Sequence, residues 1–338
     1  MRRSLWSLAV GLLAATPLAA QGSGSVAGTQ RSRNVSIVAH IPGRLTDIEI
    51  EQELSRPYAY VSTGRLGGFN IINLKDPYKA YVMYSWHIEN PELHQGSSLG
   101  PAYLKSKGRY YFAQSYQYGA TSPDNDLGAI IFDVTGLPDT TKVKEVARIR
   151  TPEIPGGFHE EYAYKHSDGR ALLFETTNGH SAYIYDIDKV VAAQGAVGPV
   201  AKIPNPDSLS GYRFKGYHDF YVGYDPATKQ DKFYGAGYTG YFLWDITDLA
   251  NPKLLVTLTG IAGTDIAHTF TPDPTGRYAV TEFEYTYAPL RIFDLKPGLD
   301  GTVKNINRPV GAWTASWKGL PHNHEVRWPY VFVSTYGD

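Results

Sequence analysis

An apolar strand ending in Asp or Asn recurs five times along the chain, and this repeat restricts the fold more than any other feature. The copies are Phe69-Asn70-Ile71-Ile72-Asn73-Leu74, Ala129-Ile130-Ile131-Phe132-Asp133-Val134, Ala182-Tyr183-Ile184-Tyr185-Asp186-Ile187, Tyr241-Phe242-Leu243-Trp244-Asp245-Ile246 and Leu290-Arg291-Ile292-Phe293-Asp294-Leu295. Asn73, Asp133, Asp186, Asp245 and Asp294 are spaced by 60, 53, 59 and 49 residues. β-Branched and aromatic residues dominate each copy, which makes these segments strands. Another strand precedes each copy, such as Tyr58–Ser62 or Tyr278–Thr281. Turn residues such as Asp76-Pro77 or Asn251-Pro252 follow, and then a further strand, Ala80–His87 or Lys253–Leu258. One such unit is a four-stranded antiparallel sheet. It cannot bury both faces alone, so the units must stack around an axis. The expected fold is all-β: one β-propeller domain over residues 34–338, not two domains. A β-sandwich with coincidental spacing is the alternative.

The ends of the chain complete this expectation. Val35–Ala39 reads as an outer fourth strand with no blade before it, of the kind that closes a propeller against its last blade. His324–Trp328 and Tyr330–Ser334 read as a first and a second strand, and no third follows. The count is five full blades plus a partial sixth. Either the closing blade is incomplete or the sequence is truncated at its C-terminus, and the intact fold would have six or seven blades. Residues 1–20 read as a secretion signal: Arg2 and Arg3, then the apolar run Leu5–Leu13, then small residues before a cut near Ala20-Gln21. Residues 21–33 are a Gly- and Ser-rich lead-in. The expected location is periplasmic or extracellular. No later segment has the length of a membrane-spanning helix. The net charge is −1 with no block of like charge after the N-terminus, which disfavours nucleic acid and anionic membrane as partners. The chain has no cysteine, hence no disulfide, no thiolate ligand and no cysteine nucleophile.

The histidines carry the chemistry. His159, His218 and His268 stand 27, 27 and 26 residues before Asp186, Asp245 and Asp294. Each opens the first strand of its blade, and His324-Glu325 repeats the pattern in the last one, with His322 two residues earlier. The matching position of the first blade is Asp47, and His94 falls in the loop before the second blade's first strand. First strands of a propeller line its channel. His159, His218, His268 and His324 are therefore expected to meet near the axis, completed by His94, His322 or Asp47. Neutral imidazole suits copper, zinc, iron and nickel. Copper is the leading expectation, for an all-nitrogen site in an oxidising compartment, with zinc or iron as alternatives. Binding is expected to weaken below a pH of roughly 6.5. A water-filled polar channel of hydrogen-bonded histidines is the non-metal reading.

Glu160, Asp219 and Glu325 alternate to the other strand face and could support the ligands only if the strands bend. His180 and the tyrosines of the second-to-third loops, Tyr116, Tyr118, Tyr238, Tyr285, Tyr287 and Tyr336, are expected as pocket or rim residues at the channel mouth, where a small-molecule substrate or ligand would enter. His40, His87 and His166 are expected at the surface. No nucleophile elbow, phosphate loop or dinucleotide fingerprint is present, so no catalytic residue is assigned.

The segment Tyr58–Ile88, with Gly67-Gly68-Phe69-Asn70-Ile71-Ile72-Asn73-Leu74 and Asp76-Pro77, resembles the LVIVD-repeat family. The resemblance covers Asn34 to the end and implies an exported β-propeller. His218-Asp219 is distantly similar to the His-Asp motif that opens inner strands in the selenium-binding protein and methanethiol oxidase propellers. This chain lacks that family's cysteines, so the substrate does not transfer. Two functions follow as expectations: a metal-dependent oxidoreductase acting on a small organic or sulfur compound, or a metal-free binding or scaffold propeller.

Overall fold

The computed structural model describes residues 35–338 except 95, 119–121, 207–215, 264–266, 315–318 and 337–338. The expected signal and lead-in lie outside the described residues. Each repeat unit forms one antiparallel sheet whose strands are paired in chain order. The first contains β1 (Ile48–Ile50), β2 (Tyr58–Ser62), β3 (Gly68–Asn73) and β4 (Tyr81–His87). The second contains β5 (Gly96–Ser106), β6 (Arg109–Tyr118), β7 (Leu127–Asp133) and β8 (Lys144–Arg150). The third contains β9 (Phe158–Lys165), β10 (Ala171–Thr177), β11 (Ser181–Asp186) and β12 (Ala201–Pro204). The fourth contains β13 (Tyr217–Asp225), β14 (Gln230–Gly237), β15 (Gly240–Asp245) and β16 (Lys253–Thr259). The fifth contains β17 (Ala267–Pro272), β18 (Tyr278–Phe283), β19 (Leu290–Asp294) and β20 (Gly311–Trp313). The last is the pair β21 (Leu320–Arg327) and β22 (Tyr330–Tyr336).

The recurring strand of the sequence is the third strand of each sheet, and its terminal Asn or Asp has a local task. The side chains of Asn73, Asp133, Asp186, Asp245 and Asp294 each accept the backbone N–H two residues on. That bond turns the chain out of the sheet, which is why a short acceptor recurs there.

Consecutive sheets bury their facing sides against one another. Tyr60, Phe69 and Ile71 pack on Phe112 and Phe132, and Ala113 and Ile131 pack with Leu173 and Tyr185. Phe174 and Ile184 then meet Phe220, Phe233 and Phe242, and Tyr234 and Leu243 meet Phe270 and Phe293. Both faces of the central sheets are thus apolar, as stacking requires. The contact between the fifth sheet and β21 is polar instead, built on Thr269, Thr271, Glu282 and His324.

The fold is all-β and propeller-like. Among the described residues no strand pairing joins the last sheet to the first. Val35–Ala39, expected as a closing strand, forms none. Ala39 and Ile41 instead pack on Ala59, Val61, Ile72 and Ala80, the face of the first sheet turned away from the second. No helix among the described residues is long and apolar enough to cross a membrane.

Candidate metal centre

The first strand of each sheet is bulged at its start, and the bulge decides which side chains face the axis. The pairing of β9 with β10 shifts register between Glu175 and Thr177, leaving His159 and Glu160 together opposite Thr176. The Thr176 hydroxyl accepts both of their backbone N–H groups. The same shift sets His218-Asp219 opposite Ala236, His268-Thr269 at Glu282, His322-Asn323 opposite Ser334 and Leu99-Gly100 opposite Ser115. In the first sheet Thr46 and Asp47 bracket Ser62 in the same way. Two residues opposing one interrupt the usual alternation, so a histidine and the residue after it lie on the same side. Simple alternation had set Glu160 and Asp219 on the opposite side; the bend brings both to the channel.

This register identifies the layers. The outer layer runs Thr46, Leu99, His159, His218, His268 and His322 in strand order. The imidazoles form a continuous arc, with ring centroids 4.5 Å apart for His159 and His218, 4.1 Å for His218 and His268, and 4.7 Å for His268 and His322. His322 therefore takes the place that spacing gave to His324. Without a third strand to count from, the last sheet offered no Asp to fix the register. His324 lies one strand face away, between sheets, with its Nδ1 3.0 Å from Glu282 Oε2 and its Nε2 3.1 Å from Thr271 Oγ1. Asp47 is likewise equivalent to Glu160 and Asp219 rather than to the histidines.

Glu284, just beyond β18, completes the site and was not singled out in the sequence. One ligand atom each from His218, His268 and Glu284 lies within 4.8 Å of the others. The Glu284 carboxylate is 3.5 Å from His268 Nε2 and 3.9 Å from His322 Nε2. Ligands around one tetrahedral ion at 2.0–2.1 Å stand about 3.4 Å apart, so small rotations of these side chains would close the set. The hydrogen-bond inventory also suits an ion. Among the described residues neither ring nitrogen of His268 has a hydrogen-bond partner, nor does Nδ1 of His218. Buried polar atoms are normally paired, and one nitrogen from each of these two rings lies within 4.8 Å of the other and of a Glu284 oxygen. His159 Nδ1 is 3.2 Å from Gln117 Oε1, a contact that orients that ring.

Burial makes protonation of the arc costly. It holds His159 down at about 4 and His268 at about 2, each further lowered by His322, and puts His218 well below the ordinary imidazole value. Protons compete for these nitrogens only in acid, so the sequence-based limit of roughly 6.5 moves down. Metal loaded at pH 7 is expected to stay bound at pH 5 in an equilibrium dialysis series. A release midpoint near 6.5 would contradict this.

The other candidates are placed elsewhere. His94 ends the short helix Pro91–His94, and its Nδ1 is 2.7 Å from Asp124; the bulged pair of its sheet is Leu99-Gly100, further along the chain. His180 is exposed. Tyr116 and Tyr118 are buried in the core between the first two sheets, the Tyr116 hydroxyl donating to Gly67 O, so they form no rim. Tyr238 is half-buried, and Tyr285 and Tyr287 are exposed beyond β18. The Tyr336 ring lies 4.7 Å from that of His322, tilted against it by 58°. His40 and His87 are exposed as expected, but His166 is 2 % exposed, tied to Ile246 O at 3.1 Å and to Asp231 at 3.3 Å. It is a buried connection between the third and fourth sheets.

The structural role of His324 has its own test. Glu282 is fully buried, and the ring is its main partner. His324→Ala is expected to cost about 3 kcal/mol in urea unfolding, because it strands a buried carboxyl. Metal content should be unchanged; loss of metal with unchanged stability would make His324 a ligand instead.

Beneath the arc the channel opens into a chamber of about 610 Å³. Asp47, Glu160 and Asp219 line it at the level of the bulges, and Glu49, Tyr162, Tyr221 and Glu325 at the next. Burial pushes Asp47 up to about 6 and Glu49 and Asp219 to about 8, with neighbouring carboxylates adding to each shift; burial also raises Glu160 well above its ordinary range.

Fold and site together define an all-β, propeller-like protein with a histidine and glutamate group able to hold a metal ion. No protein-family model matches the chain, and neither does any curated protein.

Proposed function

We propose that this is an exported β-propeller of the LVIVD-repeat type, with six or seven blades, that holds a transition metal at the axis and oxidises a small organic or sulfur compound. The observation that carries the proposal is the recurrence of histidine at one bulged position on four first strands, with orphaned nitrogens beside a carboxylate. Packing does not call for this, since an apolar side chain fills a strand position without needing partners. His218, His268 and Glu284 would hold the ion, with His322 and His159 flanking. A bound transition metal would supply Lewis acidity or one-electron chemistry.

The chain's own groups have narrower tasks. Gln117 orients His159, and burial raises the Glu284 carboxyl, 3.5 Å from His268 Nε2, above its ordinary value. Copper remains the leading metal, because imidazole-rich sites in an oxidising compartment suit it. The carboxylate in the set strengthens zinc and iron as alternatives. Metal analysis of protein purified without an affinity tag is the test. About one transition-metal ion per chain is expected; protein that emerges metal-free and stays so after incubation with copper, zinc and iron leaves the binding or scaffold reading instead.

A further inference from the structure

The chamber beneath the arc has a charge pattern that the metal centre does not use. Asp47, Glu49, Glu161, Asp219 and Glu325 line it, and among the described residues none of them has a Lys, Arg or His partner. Glu160, also on the wall, has only His159, at 4.0 Å. The single Lys or Arg on the wall among the described residues is Arg327. The His324 ring is already engaged by Glu282 and Thr271. Asp225, further down, is neutralised by Lys232 at 2.6 Å. A second observation points the same way: Glu161 is 7 % exposed, lines the chamber and faces the fully buried Glu175 carboxyl, and among the described residues neither has a Lys, Arg or His partner. Uncompensated buried carboxylates are costly, and the cost is removed either by a proton or by a cation.

The arrangement also selects the kind of cation. Calcium wants six to eight oxygens converging at about 2.3–2.6 Å. The carboxylates here come from β1, β9, β13, β21 and the residue before β1, in two successive layers along the channel. The one convergent group among the described residues is His218, His268 and Glu284. Carboxyls that burial holds protonated give up their protons when ammonium groups come near, so spaced carboxyls match spaced positive charges. Tyr162 and Tyr221 meet edge to face at 5.6 Å between them and offer aromatic surface to ammonium groups and to the alkyl chain that carries them. A chamber of about 610 Å³ is ligand-sized.

We infer that the acidic chamber is a binding site for a small organic polycation, a linear amine whose ammonium groups are carried on an aliphatic chain. The site is independent of whether the imidazoles hold a metal. A ligand there would lie directly beneath them.

The test is isothermal titration of the full chain with spermidine at low ionic strength, on metal-free and metal-loaded protein. The neutral diol 1,8-octanediol serves as the uncharged control and calcium as the point-charge control. One spermidine per chain is expected, with no binding of the diol and no displacement by equimolar calcium. Asp47→Asn with Glu325→Gln, both outside the His218, His268 and Glu284 group, should weaken spermidine at least tenfold and leave metal content unchanged. Equal affinity of wild type and variant, binding of the diol, or displacement by equimolar calcium would each overturn the inference. So would absence of spermidine binding to the wild type, a measurement that stands even if the variant does not fold. Metal content, read on the same samples, fails or holds separately and bears only on the centre above.

Discussion

Replacing His218 and His268 together by alanine is expected to abolish stoichiometric metal while leaving the β-sheet circular dichroism intact. These two rings hold three of the orphaned nitrogens and sit at the middle of the arc, 4.1 Å apart. Removing both leaves Glu284 and His322, with His159 at the far end, and no group of three within reach of one ion. Losing a single supporting partner typically weakens metal sites by about 10–100-fold, so losing two direct ligands should exceed 100-fold. Binding competition with a chromogenic chelator reads this directly. The fold should tolerate the change, because neither ring nitrogen of His268 holds a hydrogen bond to another described residue. His324→Ala is the control with the opposite pattern: stability falls and metal stays. Full metal retention in the double variant would remove the basis of the proposed centre.

Metal-free protein is expected to lose stability as the pH rises from 7 to 9. The carboxyls of Glu49 and Asp219 are raised to about 8 in the folded state, chiefly by burial. A group whose folded value lies above its unfolded one contributes stability in full below the unfolded value of roughly 4 and loses it as pH climbs through the folded value. Each such carboxyl removes up to about 1.4 kcal/mol per pH unit between its unfolded and folded values, and the loss levels off above the folded value. The histidines act with the opposite sign. Their folded values are depressed, so their contribution is complete above about 6.5 and lost only as pH falls toward 4. Above pH 7 the carboxyls act alone, and the urea midpoint at pH 8.5 should lie clearly below that at pH 7. A flat profile would show that the chamber acids are solvated, with ordinary carboxyl values. Restoring the midpoint at pH 8.5 by Asp219→Asn would assign the effect to this residue.

How much of this was legible in the sequence differs from sheet to sheet. Five sheets were read correctly because each carries the third strand with its terminal Asn or Asp, and that residue has a local reason to recur. The hydrogen bond from its side chain to the N–H two residues on is written into neighbouring positions. His159, His218 and His268 were placed by counting back from that mark. The last sheet shows no third strand among the described residues, so the count lacks an anchor there and points to His324 in place of His322. The first sheet slipped by one residue, which put Asp47 in the histidine layer instead of the acidic one.

Glu284 and the chamber belong to a different category. Glu284 stands outside any strand, in a loop whose other notable residues are tyrosines, and no spacing marks it. It reaches the centre only because the turn after β18 folds over His268. The acids were visible in sequence directly after the histidines, but strand alternation argued against a shared face. The register shift at each bulge reverses that conclusion, and a bulge is a property of two paired strands, not of one. The sequence by itself determined the all-β repeat and the recurring histidine, since both depend on periodicities of single strands. Only the tertiary structure decided which histidine, which carboxylate and which side of the strand meet at the axis, because those depend on pairings between segments tens of residues apart.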